Sequence, residues 1–382
     1  MFSPSLGTQR HNFVVDFVQQ HKPKKVIDLG CADCRLLRRL RFLRDVEFLV
    51  GVDIKSSSMK KKMHSLAPFP GEYLQPGNKP LTIELYEGSV TEEDPHTKGF
   101  DLATCIELIE HLQLAEVGRF SEVLFGYMEP TAVIVSTPNA DFNCLLPGRP
   151  KLRIPDHKFE WTQVEFRSWA SGICGAYGYT VEFTGVGKVA NGPESSGFCS
   201  QIGVFNRESS RSNVPPGNEV TEDVPVYNLL YRMEYPSLQN NNIFQRTLVN
   251  EVLYWAEHLR SQWAASQRGI GPEQTQDSQG LGAAADGEQP FLHGGFLCIP
   301  LSSFMSCPRV RELSGSMVHL RDLLLGDPQV RLIANSVALD MGEEDPAVQS
   351  EEPTDAWDSG RHGNVPVEEG IEDDWGAQVC KP

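Results

Sequence analysis

The chain has 382 residues, 40% of them hydrophobic, and a formal net charge of −17. The length allows one large domain with additions. Nine cysteines scattered without a framework exclude a disulfide-stapled scaffold, and no window reaches the length of a membrane span. The acidity is concentrated from Met341 onward, where twelve Asp and Glu face only Arg361 and Lys381, so it says little about what the core binds.

Residues 1–10 hold no apolar signal core, so the expectation is a soluble, cytoplasmic protein with no membrane partner. Residues 13–18 read as part of a helix that Lys22 and Pro23 end. A first strand follows at Val26 and Ile27, with Asp28 at its end and a turn at Gly30. A helix from Arg35 to Phe42 leads to a second apolar strand, residues 48–54, which carries Asp53 at its end. The interval from Gly30 to Asp53 is close to the one that separates a glycine turn from a ribose-binding acid. Strand, glycine turn, helix, strand and acid make the opening βαβ of a nucleotide-binding sheet. Ala32 stands where a second glycine is usual. Read alone, Asp28 caps a strand end and Gly30 makes a plain tight turn; the added Asp53 favours a nucleotide-like cofactor. Cys31 and Cys34 have C-x-x-C spacing, but no second Cys/His pair matches it, so a zinc knuckle is not expected.

Residues 55–62 start another helix, residues 68–80 form a Pro/Gly loop, and residues 81–86 a third strand. Ser89, in the turn after it, read by itself is an ordinary turn residue or N-cap. A fourth strand ends in the run Glu107, Leu108, Ile109, Glu110, His111. If a helix starts just after that strand, Glu107, Glu110 and His111 share one face. Two carboxylates and an imidazole suit Mg²⁺, Mn²⁺ or Zn²⁺. An isolated E-x-x-E-H is a solvated helix face. This one sits at the C-terminal end of an expected parallel strand, where open α/β sheets bind ligands, and a metal site is favoured.

Residues 120–127 read as a helix and 132–136 as a fifth strand. The loop 141–155 passes over the sheet's C-terminal edge and returns His157 as a fourth candidate ligand, although His157 alone would be a surface histidine. A helix over 162–172 and an antiparallel pair, 180–184 with 201–205, close a domain of residues 1–205. Then come a polar linker (206–225) and a helical extension (226–265), whose Leu248, Val252, Trp255 and Leu259 form a packing stripe. A low-complexity linker (266–290), a small unassigned segment (291–340) and an acidic disordered tail (341–382) complete the chain.

The D-L-G-C-A-D-C turn from Asp28 to Cys34 and the G-V-D-I strand end around Asp53 resemble the cofactor motifs of class I methyltransferases. The E-L-I-E-H-L stretch at Glu107 and the H-K-F-E-W stretch at His157 together resemble the 3′-terminal small-RNA 2′-O-methyltransferases, whose animal members act on Piwi-bound RNAs. The resemblance covers residues 1–205. It implies a Rossmann-like, mostly parallel α/β fold and methyl transfer from S-adenosylmethionine to the 2′-hydroxyl of the 3′-terminal nucleotide of a small single-stranded RNA. It also implies a Piwi-type carrier protein as partner, and no DNA. Carried over, Glu107, Glu110, His111 and His157 would bind one Mg²⁺ or Mn²⁺. Gly30, Asp53 and Ser89 would contact the cofactor, with Asp28 beside its methionine end. Arg10 would touch phosphate, a surface ion pair being the alternative.

The chemistry is consistent. A ribose 2′-hydroxyl is a poor nucleophile near neutral pH, and a bound divalent ion lowers its pKa and orients it. His111 is the candidate catalytic base, although a ligand nitrogen cannot do both at once. Arg35, Arg38, Arg39, Arg41, Arg44 and residues 60–62 form a phosphate-facing surface or a solvated helix face. Two rivals remain: a metal-dependent catechol-type O-methyltransferase, and a non-catalytic methyltransferase-like scaffold.

Overall fold

The apolar runs of the first half fold as neighbouring strands of one sheet. The computed structural model describes residues 2–146, 148, 151–188, 197–208, 225–267 and 289–341, so the expected linkers fall mostly, and the acidic tail almost wholly, outside the described residues. Two compact units result, the first including Met1–Glu72 and Lys79–Pro236 and the second Tyr73–Asn78 and the described residues from Ser237.

In chain order the residues before Ser237 form α1 (Leu6–His21), β1 (Lys25–Leu29), α2 (Arg35–Leu40), β2 (Phe48–Asp53), α3 (Ser56–Lys62), α4 (Pro70–Leu74), β3 (Thr82–Glu87), β4 (Leu102–Ile106) and α5 (Leu114–Ser121). They continue with β5 (Ala132–Pro138), α6 (Gln163–Tyr177), β6 (Tyr179–Val186), β7 (Ser200–Arg207) and β8 (Asn228–Glu234). The sheet order is β6-β7-β5-β4-β1-β2-β3-β8. Strands β1 to β5 are mutually parallel, and β6, β7 and β8 run antiparallel to their neighbours. The expected mostly parallel α/β sheet is therefore present. Its central strands are covered on both faces, which is why they read as unbroken apolar runs. Phe120, Phe125, Phe166 and Phe205 fill one face; Val14, Leu37, Leu40 and Met59 fill the other. The strand order reverses between β1 and β4, so the crevice at their C-terminal ends is the natural ligand site.

Residues 228–234, expected in a helical extension, are instead β8, paired along β3. A half-exposed edge strand carries no continuous apolar run, and the register shift between Leu85 and Tyr86 further blurs its alternation. Just before β8, the Asp94 carboxylate accepts the N–H groups of Val226 and Tyr227, each at 2.7 Å. The domain boundary expected at residue 205 thus moves to the end of β8.

The second unit begins with α7 (Asn241–Gln267), which bears the expected stripe: Leu248 and Val252 are buried, with Trp255 and Leu259 packed against them. The unassigned segment forms β9 (Phe291–His293), β10 (Phe296–Pro300), α8 (Leu301–Phe304), α9 (Pro308–Ser314), α10 (Met317–Leu324), β11 (Leu332–Ile333) and β12 (Ser336–Asp340). Its four strands, in the order β11-β12-β10-β9, are antiparallel. Among the described residues no helix is long and apolar enough to cross a membrane, and the eight described cysteines are free.

Candidate active site

β1 ends in a turn that only glycine fits well. Gly30 has φ +77°, and a Cβ there would meet the Leu108 side chain at 2.8 Å. Asp53, at the end of the neighbouring β2, fastens this turn: its carboxylate accepts the Ala32 N–H at 2.9 Å and the Lys55 N–H at 2.7 Å. Asp28 is buried, and the Thr104 hydroxyl donates to it at 2.7 Å. Burial pushes the Asp28 carboxyl up to about 7, with the Thr104 bond opposing and the Asp53 charge reinforcing the shift. Asp28, Gly30 and Asp53 line one cavity of about 840 Å³ together with His111 and His157. Ser89 is not among its lining residues; its hydroxyl bonds Thr91 at 2.8 Å, and its carbonyl accepts from Tyr227.

The helix expected from Glu107 onward does not form. Glu107 adopts φ +52°, outside the helical region, and only a short 3₁₀ turn, Ile109–His111, follows. Its side chain therefore separates from the other two: one oxygen bonds Ser136 and Ser200 at 2.9 and 2.7 Å, and the other lies 3.3 Å from Arg10. Glu110 and His111 instead converge with His157, their ligand atoms all within 4.8 Å of one another. The returning loop is fastened to this point, because the Lys158 N–H donates to the Glu110 carbonyl at 2.7 Å. The structure thus brings together three of the four expected ligands and leaves Glu107 beside Arg10.

Glu110 is fully buried. Thr137 donates to Oε2 at 3.0 Å, while Oε1 has no hydrogen-bond partner. Burial, then the Glu107 charge, holds the Glu110 carboxyl well above the usual carboxylate range. A buried carboxylate with one unpartnered oxygen, converging with two imidazoles, is a donor set that suits a divalent cation. His111 is partly exposed; its Nδ1 lies 3.4 Å from Asp156, and its ring stands 5.0 Å from that of His157, edge to face.

Glu160 was not singled out from the sequence. Its oxygen lies 2.6 Å from His157 Nδ1, and Asn143 and the Arg153 N–H donate to the same carboxylate at 2.6 and 2.7 Å. Burial raises its pKa, but these bonds outweigh that and hold it below the usual range. A carboxylate three residues after a candidate metal histidine is a signal that could have identified it.

A family model described as the HENMT1 C-terminal domain matches residues 242–341. A small RNA 2′-O-methyltransferase of Gallus gallus is 40% identical over 364 residues, covering 90% of this chain and 96% of the relative. One of Xenopus tropicalis is 40% identical over 357 residues, covering 88% and 96%. Among solved structures, that of the small RNA methyltransferase HEN1 is 31% identical with a TM-score of 0.52, covering 61% of this chain and 27% of that one.

Proposed function

This chain belongs to the small RNA 2′-O-methyltransferase family, and on that premise we propose that it methylates the 2′-hydroxyl of the 3′-terminal nucleotide of a small single-stranded RNA. The methyl donor in this reading is S-adenosylmethionine, and the reaction requires Mg²⁺ or Mn²⁺. The observation that carries it is the convergence of Glu110, His111 and His157 beside a cavity that Asp28, Gly30 and Asp53 also line.

The buried, unpartnered Glu110 oxygen supports the metal part. Glu110, His111 and His157 would hold the ion, and Glu107 would join them by exchanging its pair with Arg10. Such an ion would supply a lowered pKa and a fixed orientation to the acceptor hydroxyl. The remaining work falls to the chain. Gly30 and Asp53 shape the cofactor turn, and Asp28 offers a carboxylate where the cofactor's cationic end would lie. His111 would accept the hydroxyl proton by giving up its ligand role, with Glu110, His157 and Glu107 keeping the ion. Transfer of the sulfonium methyl then needs chiefly alignment of the two reactants. A cytoplasmic location and delivery of the RNA by a Piwi-type carrier belong to the same proposal.

The test is transfer of tritiated methyl to a single-stranded small RNA with Mn²⁺ present, in competition with a catechol. RNA labelling that EDTA abolishes is the expected result. Labelling that persists in EDTA removes the metal from the reaction, and preferential labelling of the catechol favours a small-molecule enzyme.

A further inference from the structure

One wall of the cavity is strongly cationic. Arg10 and His11 of α1 and Arg35, Arg38 and Arg39 of α2 all line it. The α2 residues follow the i, i+3, i+4 pattern that places them on one helix face. Arg35 lies 2.8 Å from Asp33, Arg10 lies 3.3 Å from Glu107, and Arg39 donates to the neutral Asn12 at 2.6 Å. The Arg38 side chain forms no hydrogen bond or ion pair among the described residues, and its Nε is buried, as is the unpartnered Nε of Arg10. His11 records the same field: burial, then Arg10, Arg39 and Arg35, push its pKa down to about 4, so it adds no charge at neutral pH. A half-buried guanidinium without a counterion is costly unless a ligand provides one. This occurs in a chain whose net charge is −17.

We propose that Arg38, flanked by Arg35 and Arg39, binds the internucleotide phosphate next to the RNA 3′ end. The inference rests on the RNA reading above and adds the contact that would seat the chain end. Guanidinium forks match phosphate oxygens and read no base, so this contact places the terminal ribose without selecting sequence. His111 and His157 line the same cavity and would receive that ribose. The methionine carboxylate of the cofactor shares the oxyanion chemistry, but a single carboxylate would leave one of Arg38 and Arg39 without a counter-charge.

The experiment uses the full chain, Arg38→Gln, Arg38→Lys, and single-stranded RNAs whose last linkage is a phosphodiester or a neutral methylphosphonate. RNA affinity is read by fluorescence anisotropy across a salt series, and S-adenosylmethionine affinity by calorimetry. Arg38→Gln should weaken RNA binding about tenfold, as loss of a charge-assisted bond does. It should also flatten the slope of log affinity against log salt by about 0.7, the loss of one single-strand phosphate contact. Arg38→Lys should recover part of the affinity, and cofactor affinity should stay unchanged. The methylphosphonate should weaken wild-type binding by a similar factor and leave Arg38→Gln no weaker. Loss of cofactor affinity with RNA binding intact would overturn the proposal in favour of the carboxylate, and so would additive effects of variant and methylphosphonate. Binding is read without turnover. A protein that behaves as expected but transfers no methyl therefore contradicts the proposed function alone. One that methylates RNA with affinity unchanged in Arg38→Gln contradicts only this site.

Discussion

His157 Nδ1 lies 2.6 Å from the Glu160 carboxylate, and this contact decides which ring nitrogen His157 offers to the Glu110–His111 cluster. With Nδ1 engaged, Nε2 is the free ligand atom, the arrangement that orients metal-binding histidines generally. Glu160→Gln should therefore weaken Mn²⁺ binding about tenfold while leaving cofactor affinity unchanged, both by calorimetry. Unchanged Mn²⁺ affinity would mean that the contact serves the loop alone.

Glu110 makes a second prediction. Its buried, unpartnered oxygen destabilises the metal-free protein and becomes useful only with a cation bound. Glu110→Gln should melt no lower than wild type in EDTA. Added Mn²⁺ at about a hundredfold over its Kd should stabilise wild type by about 2.7 kcal/mol and leave the variant unmoved. An equal Mn²⁺-induced shift in both proteins would remove Glu110 from the ligand set.

Asp28 gives the pH dependence. In the folded, cofactor-free protein its carboxyl keeps a proton up to about 7, against 3.8 for an ordinary aspartate. The native state thus binds more protons than the unfolded chain between those values, so stability falls as pH rises through that window, by up to about 4 kcal/mol from this group. Asp28→Asn stays neutral throughout. Its stability relative to wild type should rise between about pH 4 and about pH 7 and level off above that, measured by urea unfolding. A constant difference would show that Asp28 ionises normally.

Truncation tests where the catalytic domain ends. Tyr227 packs on Gly88, where a Cβ would come within 2.2 Å of its ring, and its hydroxyl donates to the Ser89 and Glu92 carbonyls. A chain ending at Arg207 loses this anchor together with β8 and should aggregate or fail to bind cofactor, whereas one ending at Pro236 should bind it. Tyr227→Ala in the full chain should cost about 3 kcal/mol, the scale of emptying a buried aromatic site, read by chemical denaturation. Cofactor binding by the shorter truncation would restore the boundary at residue 205.

The legible parts of the sequence were those where local pattern and burial agree. β1 and β2 are apolar because both their faces are covered, and each carries a cavity-lining acid at or next to its C-terminal end, so Asp28, Gly30 and Asp53 are placed without the fold. β8 could not, because an edge strand with one face in solvent has no run to recognise. Glu107 was misplaced on a helix face because its left-handed backbone, an unusual conformation for a glutamate, leaves no trace in the spacing E-x-x-E-H. His157 is legible in the sequence, and Glu160 is legible only through its position three residues later, a spacing that the loop turns into a 2.6 Å contact. Arg41 shows the reverse error. The sequence places it on a phosphate-facing surface or a solvated helix face, yet it is buried over Phe42 and Phe69 and bonded to the Ser65 and Ala67 carbonyls.

The most direct test of the account is the position of the methyl group on a series of RNAs that differ only at the last sugar, mapped by nuclease digestion and mass spectrometry. A terminal ribose has two adjacent free hydroxyls, and a metal held by three or four protein ligands retains about two or three open positions if octahedral. The account predicts label only on the terminal 2′-oxygen, none on a 2′-deoxy end, slow reaction of a 3′-deoxy end and strong impairment by a 3′-phosphate. Label on internal riboses, on a base, or equally on 3′-phosphate ends would contradict it.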